Sequence, residues 1–405
     1  MPTKSLLCAL LSNLFRLHNV PGDAAIAFRY RGDMRVLHFF KTYWPDTFGG
    51  VERTIHAIAK GTAKYGVESD VLSLSETPIE NSVEFDGHMA HKVKLDFEFA
   101  STGFSREVFG RFRELSRKAD IVHYHFPWPV MDIVHLSVPP GKPTVVTYHS
   151  DIVKQKVLLQ FYKPLMFRFL KSVDRIVATS PNYLMSSDVL ERFRSKTTVI
   201  PLGLDEADYP KADKAMLARW RGKLPNRFLL FVGVLRYYKG VHILLEAAKR
   251  NGLDIVIVGS GPMEAELKQA AGQNARNIHF LGSLSDNDKI ALLELSAGFA
   301  FPSHLRSEAF GLSLVEASMF GKPMISCEIG TGTSFVNLDK QTGFVVPPND
   351  VDALSNAMKS LWDNEREAAR LGAAARDRYL ACFTAENMCS AYDRLYRELT
   401  GSRGS

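Results

Sequence analysis

The feature that most constrains the fold of this chain is a regular alternation of short, apolar, β-rich runs with segments of helical periodicity. In the first half the β-rich runs are RVLHFF, SDVLSL, DIVHYHF, TVVTYHS, RIVATS and TTVIPLG. Between the first two runs, Val51, Ile55, Ile58 and Ala59 recur at helical spacing. Strands that alternate with helices are typical of a parallel sheet with helices on both faces. The first half is therefore predicted to be a doubly wound α/β domain.

The same pattern starts again in the second half. Its β-rich runs are FLLFVGV, LDIVIVGSG, IHFLG, GFAFPS, PMISC and GFVVPP. A polar, proline-containing seam, GLDEADYPKADKAM, separates the halves, and 405 residues exceed what one hydrophobic core usually holds. We predict two Rossmann-like domains that face each other across a cleft, at residues 34–205 and 206–384. Residues 385–405 form a final helical segment that periodicity alone assigns to neither half.

Residues 1–33 precede the first buried strand and are expected to be an amphipathic extension without chemistry. A signal peptide is an alternative, but Arg16, His18 and Asp23 make the later part of the segment polar. A true start at Met34 is a third interpretation.

Composition limits the class of function. Hydrophobic residues make up 46% and charged residues 23%, which is ordinary for a soluble globular protein, and no apolar run approaches the ~20 residues of a membrane span. The net charge of +6 suits an anionic substrate or membrane surface but is too weak to indicate nucleic acid. Four cysteines without metal-ligand spacing favour a reducing compartment.

The stretch SEAFGLSLVEA, Ser307 to Ala317, follows a predicted strand and opens an apolar helix. We predict a helix from Gly311 to Phe320, because Gly321 and Pro323 are typical of a helix end. A helix N-terminus leaves backbone N–H groups unpaired and favours phosphate. The amides concerned belong to Gly311, Leu312 and Ser313.

Two glutamates, Glu308 and Glu316, flank the start of this helix. If the residues between them were all helical, the carboxylates would lie about 12 Å apart, which matches the two sugars of a nucleotide sugar. One carboxylate would accept ribose hydroxyls and the other would reach the transferred sugar. A helix with two solvated glutamates is the open alternative.

A second candidate group lies in GVLRYYKG, at the end of the first strand of the second half. Arg236 and Lys239 stand where the strand gives way to a helix, and they are placed to clamp a diphosphate. Ordinary surface charges remain an alternative. Neither half carries the G-x-G-x-x-G fingerprint, since VGSGP lacks its third glycine, so nicotinamide binding is disfavoured.

In the first half, Gly49 and Gly50 permit either close approach of the backbone to a ligand or a tight turn. His149 ends a predicted strand at the cleft, and His123 and His125 end another. Three histidines suit zinc, but a packed, hydrogen-bonded histidine is the commoner case.

Two helical segments, Lys154–Ser172 and Arg106–Lys118, interleave basic residues with aromatic and aliphatic ones. This composition suits an anionic membrane surface or a helix that packs on the core and exposes a basic edge. Single-stranded nucleic acid is a weaker alternative, since no RNA-binding module is visible.

Together these motifs resemble the GT-B glycosyltransferases, specifically the retaining enzymes of family four, from Met34 to about Leu399. SEAFGLSLVEA looks like the family's E-x7-E motif, RYYKG like its diphosphate clamp, FGGVE like its N-terminal glycine loop and TYHSD like its acceptor-side histidine. VIPLGLD, VGSGP and FTAENMCSAYDRLY also fit, the last as a helix that crosses back onto the first domain. The opening MRVLHFFKTYWPDTFGGVE is similar to bacterial O-antigen mannosyl- and rhamnosyltransferases.

The resemblance implies a role for each residue. Glu316 would hold the ribose hydroxyls, Glu308 would lie beside the donor sugar, and His149 would contact that sugar or orient the acceptor. Arg236 and Lys239 would neutralise the departing diphosphate in place of a metal. The backbone would complete the donor site at Phe310, Gly311, Leu312 and Ser313, at Gly49 and Gly50, and around Gly282–Leu284 for the base.

The resemblance also implies the substrates. The donor would be GDP-mannose or a GDP-deoxysugar, with no cofactor or metal, and transfer would retain the anomeric configuration. The acceptor would be a lipid-linked glycan at the cytoplasmic face of the membrane, which the enzyme would contact peripherally. Three alternatives stay open: a UDP-sugar donor, a nucleotide-sugar epimerase on the same fold, and a non-catalytic scaffold that binds glycan or membrane.

Overall fold

The computed structural model describes residues 34–78, 82–99, 102–152, 156–272 and 275–401, and the chain from Met34 onward forms one compact unit. The predicted N-terminal extension, residues 1–33, lies outside the described residues. Two sheets organise the described part of the chain, one built from each half of the sequence.

The first sheet has eight strands in the order β10-β9-β8-β7-β1-β2-β4-β3. Its strands are β1 (Met34–Phe39), β2 (Val67–Ser75), β3 (Ser82–Phe85), β4 (His88–Lys94), β7 (Ile121–Phe126), β8 (Thr144–Tyr148), β9 (Arg175–Ala178) and β10 (Thr197–Val199). All neighbours are parallel except β3, which forms an antiparallel hairpin with β4. A separate hairpin joins β5 (Phe97–Phe99) to β6 (Thr102–Phe104).

The second sheet is parallel and has six strands in the order β13-β12-β11-β14-β15-β16. Its strands are β11 (Leu229–Val232), β12 (Ile255–Val258), β13 (Ile278–Gly282), β14 (Gly298–Phe301), β15 (Met324–Cys327) and β16 (Gly343–Val346). Each corresponds to one β-rich run of the second half. The two sheets, parallel apart from β3, confirm the predicted fold class of two doubly wound domains.

Fifteen helices of the described ranges cover these sheets. They are α1 (Gly50–Thr62), α2 (Glu107–Lys118), α3 (Pro129–Ser137), α4 (Lys156–Ser172), α5 (Pro181–Ser186), α6 (Asp188–Arg192), α7 (Lys214–Arg221), α8 (Val241–Asn251), α9 (Glu264–Ala271), α10 (Asp286–Leu295), α11 (Leu312–Met319), α12 (Thr333–Val336), α13 (Val351–Asp363), α14 (Glu365–Cys382) and α15 (Ala385–Gly401). Short 3₁₀ turns include Glu206–Asp208 in the seam and Tyr237–Lys239 after β11.

The last helix, α15, packs on the first half of the chain. A Cβ atom on Gly61 of α1 would lie 2.4 Å from the Cys389 Sγ, so a glycine is needed where the two helices meet. The Tyr396 hydroxyl lies 2.7 Å from His123 Nδ1, and the Tyr392 hydroxyl lies 2.8 Å from the Thr147 hydroxyl. The domain boundaries at residues 205 and 384 stay predictions.

The two basic, aromatic segments form helices that pack on the first core. In α2 the residues Val108, Phe112 and Leu115 are buried, as expected for an amphipathic helix with a solvated basic edge. In α4 the core contacts come from Phe169 and its neighbours, whereas Phe161 is 80% exposed. Within the described ranges, no helix has both the length and the apolar character needed to cross a membrane.

In each sheet the strands that carry the candidate residues end in loops directed toward the other half. The loop after β1 leads to Gly50, whose position for a Cβ lies 3.8 Å from Leu312 Cδ1 at the start of α11. The carboxyl ends of the two sheets therefore face each other, which is where ligands bind in open α/β sheets.

Candidate active site

Helix α11 presents its N-terminus at the centre of this cleft. Gly311 caps it with a φ of 90°, a left-handed conformation that favours glycine, and its carbonyl accepts from the Leu314 amide at 2.9 Å. The amides of Leu312 and Ser313 lie in the first turn, where a helix leaves its N–H groups for a ligand. The helix is one residue shorter at each end than predicted.

The expected 12 Å spacing of the two glutamates rested on a continuous helix, and that premise is wrong. Glu308 lies in the loop before α11, because its amide donates to the Leu305 carbonyl and the helix begins only at Leu312. The two carboxylates therefore lie in different surroundings, that of Glu308 in a loop and that of Glu316 on helix α11.

The Glu308 carboxylate forms a largely buried ion pair. Its Oε2 lies 2.5 Å from Lys239 Nζ, and the two side chains are 11% and 12% exposed. The Ser303 hydroxyl donates to the same oxygen at 3.2 Å. Burial opposes the charged ammonium, but the charge and hydrogen bond of Glu308 together with the nearby Tyr238 outweigh burial and raise the pKa of Lys239. Lys239 therefore carries a fixed positive charge beside Glu308 at neutral pH.

A glycine brings Lys239 to this position. Gly240 has a φ of 70°, and a Cβ there would lie 2.0 Å from the Pro302 carbonyl oxygen. Only glycine permits this approach of the turn Tyr237–Lys239 to the loop after β14. The His304 amide then donates to the Tyr238 carbonyl at 3.0 Å, which ties the two loops together.

The Glu316 carboxylate, which is also buried, is held by two residues that the sequence analysis missed. Its Oε1 accepts from the Tyr209 hydroxyl at 3.0 Å and from Lys289 Nζ at 3.3 Å. Lys289 also pairs with Asp286 at 3.0 Å. Both contacts use Oε1, which leaves Oε2 of Glu316 for a ligand. The sequence did contain a signal for Lys289, because a lysine among the apolar residues next to Ile290 is unusual on a buried helix face and indicates a buried partner.

A cavity of about 390 Å³ lies between Glu316, the start of α11 and the glycine loop of the first half. This volume falls in the range of small-molecule sites. The lining residues are Gly50, Arg53, Leu204, Tyr209, Val232, Gly233, Val234, Val258, Gly259, Ser260, Ser283, Leu284, Asp286, Lys289, Leu312, Ser313 and Glu316. Of the predicted donor-site residues, Glu316, Leu312, Ser313 and Gly50 line it, together with part of the segment expected at the base.

The glycines of VGSGP shape one wall of this cavity. A Cβ on Gly259 would lie 2.0 Å from the Gly233 carbonyl oxygen, and one on Gly261 would lie 2.6 Å from the Leu235 carbonyl oxygen. These glycines let the loops after β11 and β12 pack directly together, so the motif serves loop packing beside the ligand space.

The remaining predicted residues of the second half differ in exposure. Arg236 is exposed and precedes the turn that carries Lys239, close enough for its charge to act on the titration of Lys239. Phe310 is buried against Phe383, so its side chain faces the core and only its backbone borders the cleft.

The loop that contains Gly49 and Gly50 is fixed by Glu52. The Glu52 Oε1 accepts from the Thr42 hydroxyl at 2.8 Å and from the Thr47 hydroxyl at 2.9 Å. A Cβ on Gly49 would lie 2.9 Å from Glu52 Oε2, so the glycine accommodates this carboxylate, whereas Gly50 faces α11.

His149 ends a row of buried imidazoles. Its Nε2 lies 3.0 Å from His125 Nδ1, and His125 Nε2 lies 3.1 Å from His38 Nδ1. Burial lowers the pKa of His149 to about 3, so the ring is neutral at physiological pH. A neutral imidazole in this position donates or accepts one hydrogen bond rather than supplying charge.

Among the described residues, one histidine group has the spacing of a metal site, and its membership differs from the predicted one. It contains His38, His123 and His125, whose ligand nitrogens lie within 4.8 Å of one another, whereas His149 is not a member. His123 has both ring nitrogens in hydrogen bonds, 2.7 Å from Tyr396 and 2.7 Å from Thr147. These bonds are those of packed core histidines.

The arrangement combines the parts that transfer from a nucleotide sugar requires. A helix N-terminus and a lysine favour an anion such as a diphosphate, and a carboxylate such as that of Glu316 can accept hydrogen bonds from hydroxyls. Glu308 places a carboxylate next to that positive charge. The fold and this site define a glycosyltransferase of the GT-B class, with two Rossmann-like domains.

Comparisons with known proteins agree. Residues 48–208 match a family model described as Glycosyltransferase Family 4, and residues 217–378 match one described as Glycosyl transferases group 1. The chain belongs to glycosyltransferase family 4, as the motifs predicted.

Two curated relatives are especially similar. The chain is 55% identical to the D-rhamnosyltransferase WbpZ of Pseudomonas aeruginosa, over 87% of this chain and 93% of the relative. It is 50% identical to the O-antigen chain mannosyltransferase C of Escherichia coli, over 91% of this chain and 100% of the relative.

Solved structures share the fold at lower identity. A sucrose-phosphate synthase from Thermosynechococcus elongatus superposes with a TM-score of 0.75 at 22% identity, over 91% of this chain and all of that one. The Anabaena protein HepE in complex with UDP superposes with a TM-score of 0.73 at 18% identity, over 90% of this chain and all of that one.

Proposed function

We propose that this enzyme transfers a hexose, mannose or a deoxyhexose such as rhamnose, from a GDP-linked donor to a lipid-linked glycan, with retention of anomeric configuration. The observation that carries the proposal is the cavity of about 390 Å³ that joins the amide end of α11 to Glu316. The names of the two similar relatives, a D-rhamnosyltransferase and an O-antigen chain mannosyltransferase, support the sugar and a place in O-antigen synthesis.

The donor lies in this proposal along the start of α11. Its ribose hydroxyls donate to Glu316 Oε2, and its diphosphate accepts from the amides of Leu312 and Ser313. The base packs near Ser283 and Leu284, which line the far end of the same cavity. The transferred sugar then points toward Glu308 and His149.

The transfer breaks the bond between the anomeric carbon and the diphosphate oxygen and forms a bond to an acceptor hydroxyl on the same face of the sugar. The hydroxyl proton passes to the departing diphosphate. Lys239 and Arg236 stabilise the negative charge that develops on that group, so the proposal assigns no step to a metal or cofactor. Glu308 holds Lys239 in place and lies beside the sugar as positive charge develops on it.

The acceptor side of the proposal is a glycan attached to lipid at the cytoplasmic membrane face. Phe161 on α4 is 80% exposed, and the exposed Arg168, two helical turns further along, lies on the same side of that helix. An exposed aromatic side chain among basic residues suits peripheral contact with an anionic surface.

Thermal stabilisation by nucleoside diphosphates, measured with EDTA and then with magnesium, tests the donor. We expect GDP to raise the melting temperature in EDTA, and UDP and ADP to raise it less. A larger shift with UDP would overturn the GDP assignment in favour of a UDP-sugar. No shift with any nucleotide would contradict the transferase proposal and favour a scaffold.

A further inference from the structure

Arg306 is a residue of the second half whose partners lie mostly in the first half. It stands in the loop between β14 and α11, two residues before Glu308. Its Nη2 donates to Asp151 Oδ2 at 3.0 Å and its Nη1 donates to the Ser186 hydroxyl at 2.9 Å. The guanidinium also lies 5.2 Å from the centre of the Tyr183 ring. A residue of the Glu308 loop is therefore anchored across the cleft.

Asp151 is held in place before it meets the arginine. Its Oδ1 accepts from the Ser187 hydroxyl at 2.7 Å and from the Tyr148 hydroxyl at 2.9 Å, and its amide lies against the Tyr183 hydroxyl. The Oδ1 atom of Asp151 is therefore bonded within the first half, and its Oδ2 atom accepts from Arg306 of the second half. Asp151 follows His149 by two residues, so the pair joins the two segments that carry the candidate catalytic side chains.

The three acceptors around residue 306 match the planar, forked guanidinium of an arginine. Nη1 also donates to the Gly330 carbonyl at 3.1 Å, so a single guanidinium bridges both halves. Gly330 has a φ of 68°, and a Cβ there would lie 3.1 Å from Arg306 Nη1 and 3.4 Å from Ser186 Cβ. Nearby, the Asn182 amide donates to the Ser334 hydroxyl at 2.9 Å. The contact between α5 and residues 328–334 is therefore polar and directional.

We propose that Arg306 is a positioning residue for transfer: by pairing with Asp151 across the cleft, it fixes the loop of Glu308 relative to the segment of His149. The inference rests on the proposed function, because it assigns a role to the geometry between those two residues. A reacting pair displaced by about 1 Å can lose about 100-fold in rate. Loss of the anchor therefore acts mainly on turnover, because Arg306 does not line the nucleotide cavity and the groups proposed to hold the nucleotide, Glu316 and the amides of Leu312 and Ser313, all belong to the second half.

A double-mutant cycle tests the pair: Arg306→Gln, Asp151→Asn and the double variant, with turnover of GDP-mannose and affinity for GDP measured in each. We expect each single variant to lower kcat by about 10- to 100-fold while GDP affinity stays within about twofold. The double variant should be no slower than the slower single variant, since the residues act as a unit. Arg306→Lys, which keeps the charge but not the fork, should recover only part of kcat.

Arg227 offers a matched control. Its side chain is 29% exposed, against 31% for Arg306, and it binds a carboxylate, Glu365, at 2.8 Å, a backbone carbonyl and the ring of Trp362, all within the second half. Arg227→Gln should leave kcat within about twofold of wild type. An equal loss in this control, a wild-type kcat in Arg306→Gln, or multiplicative losses in the double variant would each overturn the inference.

Small-angle X-ray scattering separates this inference from the proposed function, because it needs no substrate. The Arg306→Gln variant should have a larger radius of gyration than wild type and Arg227→Gln. If wild type neither binds nor turns over a sugar nucleotide, the proposed function fails, and this comparison alone still decides whether the pair holds the halves together. An unchanged radius in that case would overturn the anchoring role.

Discussion

Replacement of Lys239 by methionine tests the ion pair at the centre of the site. Methionine keeps the unbranched stem and removes the ammonium that lies 2.5 Å from Glu308 Oε2. Removal of one member of a buried ion pair typically costs 3–5 kcal/mol, because the other charge is left unpaired. Since both side chains are slightly exposed and Ser303 still donates to Glu308, we expect the lower end, about 3 kcal/mol.

This loss should appear as a drop in the melting temperature. At roughly 2–4 °C per kcal/mol for a domain of 150–250 residues, Lys239→Met should melt about 6–12 °C below wild type. The double variant Lys239→Met/Glu308→Gln removes both charges and should recover at least half of the lost stability, whereas we expect no recovery of sugar transfer. The recovery distinguishes an unpaired charge from a simple packing defect.

The contribution of Lys239 also has a defined pH dependence. Its pKa is raised in the folded state, so its stabilisation is fully present below the unfolded value, about 10.4, and is lost as pH rises through the folded pKa. The difference between wild type and Lys239→Met should therefore be constant from pH 7 to 9 and should shrink above about pH 10.4.

Lys268 provides the control for this substitution. It pairs with Glu264 at 2.7 Å on helix α9, but its side chain is 51% exposed, so Lys268→Met should change stability by no more than about 0.5 kcal/mol. A stabilising buried ion pair is excluded if Lys239→Met is as stable as this control, or if the double variant is no more stable than the single one.

Two further predictions concern Glu316 and the buried histidines. Glu316→Gln removes a charged acceptor of ribose hydroxyls and should weaken GDP binding by about 10- to 150-fold in calorimetry, since a hydrogen bond to a charged group contributes about 1.5–3 kcal/mol; unchanged affinity would exclude Glu316 from the donor site. His38 and His149 have pKa values that burial lowers to about 3, so the unfolded chain binds protons that the folded chain does not, and the free energy of unfolding should fall as pH drops below about 6.5. The slope is at most about 1.4 kcal/mol per pH unit for each histidine, and equal urea midpoints at pH 7.5 and 5.5 would contradict it.

The sequence predicted the sheets best where local periodicity decides the structure. Every β-rich run of the second half became a strand, and the strands β11, β12, β14 and β15 are buried along their whole length, as expected inside a parallel sheet. In the first half, β3 and β4 escaped prediction because HMAHKVK mixes polar and apolar residues. In β4 the two ring nitrogens of His91 form hydrogen bonds with Asp70 at 2.6 Å and Ser82 at 2.8 Å. Sequence periodicity does not reveal such contacts.

The candidate site was predictable to the extent that motifs mark it. Glu308, Glu316 and Lys239 were selected from sequence, but Lys239 and Glu308 are 69 positions apart, so no local pattern reveals their ion pair. Tyr209 and Lys289 reach Glu316 from the seam and from α10, so their role depends on tertiary packing. The link between Arg306 and Asp151 joins residues 155 positions apart and likewise has no local signal.

The Glu308→Gln variant tests whether Glu308 acts in sugar transfer on a donor bound along α11. The measurement is the release of GDP from GDP-mannose in the presence of lipid-linked glycans extracted from bacterial membranes, beside GDP affinity and the melting temperature. We expect a loss in kcat of at least about 100-fold, with GDP affinity within about threefold of wild type and the protein folded. A folded Glu308→Gln variant that releases GDP at the wild-type rate would contradict this role of Glu308.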